Sequence, residues 1–354
     1  REGEIVFKLD EYDYTTTCRV AQYFYEHEED EEIILQTHSR GKGINLVFLG
    51  DGFNAENISN GDYLRVMNEQ MERFFDIEPY RTYRDYFNVS TAIAVSQESG
   101  IGTVNTIRRT KFETTFAGGV GLRGDYSAIF DYAMKVSSVD ESNLNQSLII
   151  VTPNTIDYGG ITEMWEDGSA IAFCPLSEDT YPYDARGIIQ HEAGGHGFGK
   201  LGDEYIYHNG FIEFCCPLDF ATLNYGKSLG WYENLSLTGK MHEVPWSHLI
   251  FDDRYSDVVD IYEGGFKHAR GVFRSEQNSC MNNNISYFSA ISREAIVKRI
   301  MEYAGESYSF EKFVENDKRD AVNSLSRSAE RLGVTVRGNQ YAPRIHKGKP
   351  DILK

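Results

Sequence analysis

His191-Glu192-Ala193-Gly194-Gly195-His196-Gly197-Phe198-Gly199-Lys200-Leu201-Gly202-Asp203-Glu204-Tyr205 gathers two imidazoles, a carboxylate between them and a second acidic pair into fifteen residues. Just upstream, Asp184 is placed to cap a helix that carries Ile188, Ile189 and His191. The block is close to the metal-binding pattern HExxH, in which both histidines leave one helix face toward Zn2+ and the glutamate reaches the activated water. Here the histidines are five positions apart rather than four. At 3.6 residues per turn, five positions advance the helix by about 500°, leaving the second ring roughly 140° from the first. A straight α-helix therefore cannot aim both at one ion. A one-residue π-bulge absorbs the extra position, and such bulges gather at functional sites; Gly194 and Gly195 stand where the backbone must yield.

Glycines inside a helix each cost roughly 0.5–1 kcal/mol relative to alanine, so something must offset them. Metal ligation, available only to the folded state, can do so. Gly199 offers the turn that sends the chain back toward the ion. Beyond it Asp203 or Glu204 can supply the third ligand, with Asp203 favoured, which leaves the fourth tetrahedral position to water, the open arrangement catalytic zinc requires.

Working outward, Ile44–Leu49 is a short apolar run ended by Gly50-Asp51-Gly52 and reads as a buried strand. Leu64, Met67, Met71, Phe74 and Phe75 recur at helical spacing, and Phe87–Val95 reads as a second strand, so the order strand, helix, strand implies a parallel pair with a right-handed crossover. A helix near Tyr126–Val136, a strand over Ser147–Thr152 and another over Ser169–Cys174 extend the same α/β pattern. Past Tyr205 the sequence is irregular and aromatic until Phe288–Met301, where Ile291, Ala295, Val297 and Ile300 define one helical face. The expected organisation is an N-terminal β-rich segment or end of a preceding domain (1–42), a catalytic domain (43–305) and a C-terminal extension (306–354) with one helix near Asp317–Leu332 before it frays.

The 354 residues are 41% hydrophobic and 13% aromatic, enough for a substantial core. With 35 basic against 54 acidic side chains the formal charge is −19, which disfavours nucleic acid and anionic membrane surfaces as partners. No apolar run approaches the ~18–20 residues of a membrane span. Five cysteines, Cys18, Cys174, Cys215, Cys216 and Cys280, form no CxxC pair, which argues against a ribbon-type zinc site and a dense disulfide framework. Outside the block, His27, His38, His208, His242, His248, His268 and His346 lack paired spacing and read as ordinary surface or packed residues. The opening Arg1, with no basic-then-apolar leader, reads as a processed or trimmed start.

Asn45-Leu-Val-Phe-Leu-Gly-Asp51-Gly, the His191–Tyr205 block and Ser279-Cys280-Met281 together resemble the M64 family of metallopeptidases, a family named for IgA-cleaving members and grouped with the metzincins. The likeness runs from about Gly43 to Ala304, and the block ending Leu-Gly-Asp-Glu-Tyr is its most specific part. The resemblance implies a metzincin-like zincin fold: a twisted mixed sheet with a backing helix and the active-site helix in an upper subdomain reaching about residue 200, then a smaller irregular lower subdomain with a methionine turn under the metal. It implies His191, His196 and Asp203 as zinc ligands, Glu192 as general base and Met281 as the turn methionine, with Glu204 as the alternative ligand because Gly202 occupies the position where most metzincins carry the third ligand. It also implies a protein or peptide substrate and a secreted, periplasmic or cell-surface location, while naming no particular substrate. Tyr205 and Tyr287 can donate to a developing oxyanion but are given no catalytic role; Asp51 is read as orienting a loop or helix, and Arg270 and Arg274 as meeting substrate carboxylates or pairing with the acidic surface. Two rivals accompany the peptidase reading: a non-catalytic secreted binding or adhesion protein on the same fold, against which the intact Glu192 argues, and a glycosidase built on a carboxylate pair.

Overall fold

A computed structural model describes residues 27–318 and 342–352. The strands that matter for the site are, in chain order, β1 (Glu32–Gln36), β2 (Ile44–Asp51), β3 (Phe87–Ala92), β4 (Leu148–Pro153), β5 (Ile161–Trp165), β6 (Ala170–Phe173), β7 (Ile206–Phe211), β8 (Leu235–Ser236), β9 (Tyr262–Gly265), β10 (Lys267–Arg274) and β11 (Arg344–His346). Seven of them form one mixed sheet in the order β1-β3-β2-β4-β6-β5-β11. Its centre is parallel, β3 with β2, β2 with β4 and β4 with β6, as the strand, helix, strand order requires. Antiparallel pairing brings in β1 on one side and β5 on the other, and β11 runs parallel to β5.

The continuous apolar run of β2 follows from its position: all eight residues are buried because both faces of a central parallel strand are covered. Alternate side chains feed two cores. Leu46, Phe48 and Ile150 point into one, with helix α1 (Asp62–Phe75) and the later helix Ala290–Ala304, while Val47, Leu49, Ile149 and Val151 face the other, with helix α2 (Tyr126–Ala133). Asp51, at the end of β2, accepts from the backbone N–H of Phe112 (3.1 Å) and Thr114 (3.0 Å) and from the hydroxyls of Ser96 (3.2 Å) and Thr110 (2.8 Å). It therefore pins the long loop after β3, which is the orienting role its place in the sequence suggested.

Three stretches depart from the sequence reading. Ile161–Trp165, which the sequence reading assigns to no element, is strand β5 and lies beside the helix that carries His191. The region past Tyr205 is not irregular throughout: β7, β8, β9 and β10 make a second sheet, in which β10 pairs with all three others. Its strands are interrupted by register shifts and by left-handed glycines at 264 and 271, which break the alternation a sequence scan needs. The C-terminal extension adds the short helix Phe310–Asn316 and returns as β11, where Arg344 and His346 meet the buried Glu163 of β5 at 3.0 and 2.7 Å. Most of the expected helix over Asp317–Leu332, and all of residues 1–26 with Cys18, lie outside the described residues. Among the described residues no helix is long and apolar enough to cross a membrane.

The helix Ala290–Ala304 begins against a buried acid. Glu276 accepts from the Ala290 N–H at 2.7 Å and from the Tyr287 hydroxyl, while Arg293 of the same helix makes a buried bidentate pair with Asp317 at 2.6 and 2.8 Å. Burial raises the Glu276 carboxyl from its ordinary 4.5 to about 7, with Arg293 pulling the other way. The folded state thus holds this proton more tightly than the unfolded chain, so the stability it brings is complete below pH 4.5 and is lost as the pH climbs through about 7. Glu276→Gln should flatten that decline: between pH 5 and pH 8 the variant's unfolding midpoint should fall less than the wild type's, by the equivalent of up to about 3 kcal/mol. Parallel midpoint shifts in the two proteins would show that Glu276 keeps its charge when buried.

Candidate metal centre

Asp184 caps helix α3 (Ala185–Ile189) by accepting from the Gly187 N–H at 2.9 Å, and the chain then changes register without leaving the helix axis. Residues Gln190–Phe198 form a π-helix of nine residues, longer than the single bulge the spacing called for. Its wider turn carries His191 and His196 to the same side, with ring centroids 4.7 Å apart and planes at 84°. Each glycine in the segment answers to a particular neighbour. A Cβ on Gly195 would sit 2.2 Å from the Met281 sulfur, and one on Gly197 2.7 Å from Leu148 Cδ1. The Tyr80 hydroxyl donates to the Gly194 carbonyl at 2.6 Å.

The reversal after the helix differs from the sequence reading. Gly199 has an ordinary helical φ of −67°, and the left-handed residue is Lys200, at φ 52°. Gly199 is constrained instead by space, since a Cβ there would press on the carbonyl oxygens of Gly195 (2.8 Å) and Gly194 (2.9 Å). Following Lys200, the chain brings Asp203 back under the two rings. Asp203 Oδ1 lies 3.2 Å from His191 Nε2 and 3.1 Å from His196 Nε2, all three side chains being almost wholly buried. Burial works against the Asp203 charge, but His196 and His191 outweigh it and hold the carboxyl below its usual range.

The other ring nitrogens are already spoken for. His191 Nδ1 lies 2.9 Å from the Cys280 carbonyl and His196 Nδ1 2.8 Å from the Leu201 carbonyl. A carbonyl only accepts, so each Nδ1 carries a proton; Asp203 Oδ1 can accept from an Nε2 that is protonated too, and a cation taking the place of that proton would meet an Nε2 lone pair on each ring. Zinc–ligand bonds of about 2.0–2.1 Å at tetrahedral angles would space donor atoms about 3.3 Å apart. The observed 3.1 and 3.2 Å separations fit that spacing, and Asp203 Oδ2 is buried with no hydrogen-bond partner.

Glu204 goes elsewhere. Its carboxylate accepts from Ser279 Oγ at 2.6 Å and Asn234 Nδ2 at 2.9 Å, and its N–H donates to the Met281 carbonyl at 2.7 Å. It ties the loop after the π-helix to the Ser279-Cys280-Met281 segment, whose Met281 lies fully buried against Gly195. Glu192 faces a narrow pocket lined by His191, Tyr158, Gly159, Gly160 and Asn284. Burial raises its carboxyl to about 7, with His191 acting in the opposite direction. The Thr162 hydroxyl is 2.8 Å from Glu192 Oε2 and 2.9 Å from the Glu192 carbonyl. Gly160 leaves room beside Oε1, where a Cβ would stand 3.2 Å away. Tyr205 is buried and its hydroxyl has no hydrogen-bond partner; burial, then the Asp203 charge, pushes its pKa well above 10. The Tyr287 hydroxyl is engaged by Glu276, and Arg274 donates to the Gly264 carbonyl at 2.6 Å, so these two serve the fold.

Thr162 and Gly160 were missed because β5 was missed. The backbone acceptors at Leu201 and Cys280 have no side-chain signature at all.

Two buried imidazoles and a buried carboxylate converge on one point beside a glutamate that faces a pocket, a donor set that could hold a metal ion. Residues 33–218, just over half of the chain, match the family model described as IgA Peptidase M64. The chain belongs to that family, a family of metallopeptidases, whose substrates are proteins or peptides. No curated protein matches the chain.

The closeness of Gly195 to Met281 yields a double-mutant test. Gly195→Ala should cost about 1–3 kcal/mol of stability by overpacking, and most of that cost should vanish when Met281 is alanine. Additive effects on the thermal unfolding of the single and double variants would show that the Gly195 site relaxes without touching Met281.

Proposed function

We propose that the chain is a zinc-dependent peptidase in which His191, His196 and Asp203 hold the ion and Glu192 is the general base, Met281 closing the floor beneath the π-helix. The observation that carries this reading is the convergence of one nitrogen from each of two imidazoles and one carboxylate oxygen within 4.8 Å of one another. When bound, the ion supplies Lewis-acid polarisation of the scissile carbonyl and lowers the pKa of water toward ~7. The chain's own part is as follows. Thr162 holds Oε2 of Glu192, leaving Oε1 beside the open space at Gly160 to take the proton of the attacking water and return it to the departing amine. Cys280 and Leu201 lock the two rings in the ligating tautomer, and the buried setting keeps bulk water from screening the charges that develop. In this reading the chain up to about residue 200 is the upper subdomain of a metzincin-like fold, and the second sheet with the Ser279-Cys280-Met281 segment is the lower one.

Glu192→Gln should keep the zinc content of the wild type and lower turnover of a peptide substrate by at least about 10²-fold. His196→Ala and Asp203→Ala should lose both zinc and activity, whereas Glu204→Gln should keep the metal and lose stability instead. Full activity in Glu192→Gln would remove Glu192 as the base, and undiminished zinc in Asp203→Ala would remove Asp203 as a ligand.

A further inference from the structure

A second group of metal-binding side chains gathers on the smaller sheet: Cys215, Cys216 and His268. Strand β7 runs into the short helix Ile212–Cys215, and Pro217 opens the next helix, Pro217–Ser228, so both cysteines stand at the junction of two helices. Strand β10, parallel to β7, brings His268 alongside. Cys215 Sγ lies 3.4 Å from Cys216 Sγ and 3.5 Å from His268 Nδ1, and all three donor atoms lie within 4.8 Å of one another. A tetrahedral zinc with bonds of about 2.3 Å to sulfur and about 2.0 Å to nitrogen would set sulfur atoms about 3.8 Å apart and sulfur from nitrogen about 3.5 Å. The side chains already stand close to that arrangement.

What surrounds the cluster fits the same purpose. His268 is fully buried, and its Nε2 lies 2.9 Å from Asp219 Oδ2, while Lys267 meets the other oxygen of Asp219 at 3.1 Å. A ring proton on Nε2, donated to Asp219, leaves the Nδ1 lone pair facing the sulfurs. This is the outer-shell support that zinc-bound histidines carry. Gly210 gives the Cys215 sulfur its space, for a Cβ there would lie 2.8 Å from it.

We propose that Cys215, Cys216 and His268 form a second cation site, distinct from the histidine–aspartate centre, that takes zinc or a similarly thiophilic ion. Cys215 is exposed, so the fourth position is filled by solvent. Bound there, the ion staples the end of β7 to β10 and stabilises the outer part of the second sheet. The histidine involved had no partner in the sequence because its ligating companions are 52 and 53 positions away in the chain, adjacent to each other rather than spaced as CxxC.

The test uses cobalt(II), whose thiolate charge-transfer absorption in the near ultraviolet reports sulfur ligation and is silent for a site made of histidine and aspartate. The full chain, reduced with a phosphine under nitrogen, should develop that band and saturate at about one equivalent. The band should persist in a His191→Ala/His196→Ala variant and be absent in Cys215→Ser/Cys216→Ser. Zinc content should fall by about one equivalent in the serine variant, whatever the histidine–aspartate centre binds. A reduced chain that shows no band, a band that survives the serine substitutions, or zinc content unchanged by them overturns the proposal. Loss of metal from the His191 and His196 variant alone would bear on the peptidase centre and leave this site standing.

Discussion

The π-register of Gln190–Phe198 is the constraint on which the rest of the site depends. A π-helix is rare beyond a single turn, and here three glycines further lower its intrinsic stability. The helix persists because its surroundings are shaped to it. Leu148 of the sheet, Met281 from the far loop and Tyr80 from the loop after α1 each occupy space or satisfy a carbonyl that an ordinary helix would have handled internally. The same register puts His191 and His196 over Asp203, so the π-turn and the convergence of the donors are two aspects of one conformation.

The acidic pair at the end of the block illustrates how different neighbours separate similar residues. Asp203 and Glu204 are neighbours, both fully buried, yet one faces two imidazoles and is held charged while the other sits between Ser279 and Asn234 with a raised pKa. Their carboxylates divide the labour between gathering donors and fastening the loop that presents them. Glu204 reaches the segment that ends in Met281, and Met281 in turn backs the helix at Gly195, so the fastening returns to the helix it began from.

Much of this was legible in the sequence, for identifiable reasons. The parallel strands β2, β4 and β6 are short, mostly apolar runs near turn residues, β3 carries Phe87 and Val89 among polar residues, and α1 has a clear helical period. Five-residue histidine spacing around paired glycines announced a departure from α-helix, although not its extent. The second sheet escaped because its strands are short or bulged and carry polar and glycine residues, as Ile206–Phe211 and Tyr262–Gly265 show. Strand β5 escaped because its Glu163 looks like a surface residue; its charge is buried only because Arg344 and His346 arrive from 181 and 183 positions later. The turn residue was misjudged for a related reason: Lys200 adopts the left-handed conformation with its amine buried near the Trp231 ring, a tertiary compensation that local propensity does not contain.

That last strand has a temporal implication. A ribosome delivers β5 long before β11, so the sheet border flanking the π-helix must wait for a closing segment 181 positions further along the chain. Until then β5 presents unpaired peptide groups and a buried-type acid without its counter-charges, a surface prone to borrowing a strand from a neighbouring nascent chain. Completion of the border therefore follows the synthesis of the helix and its donor residues.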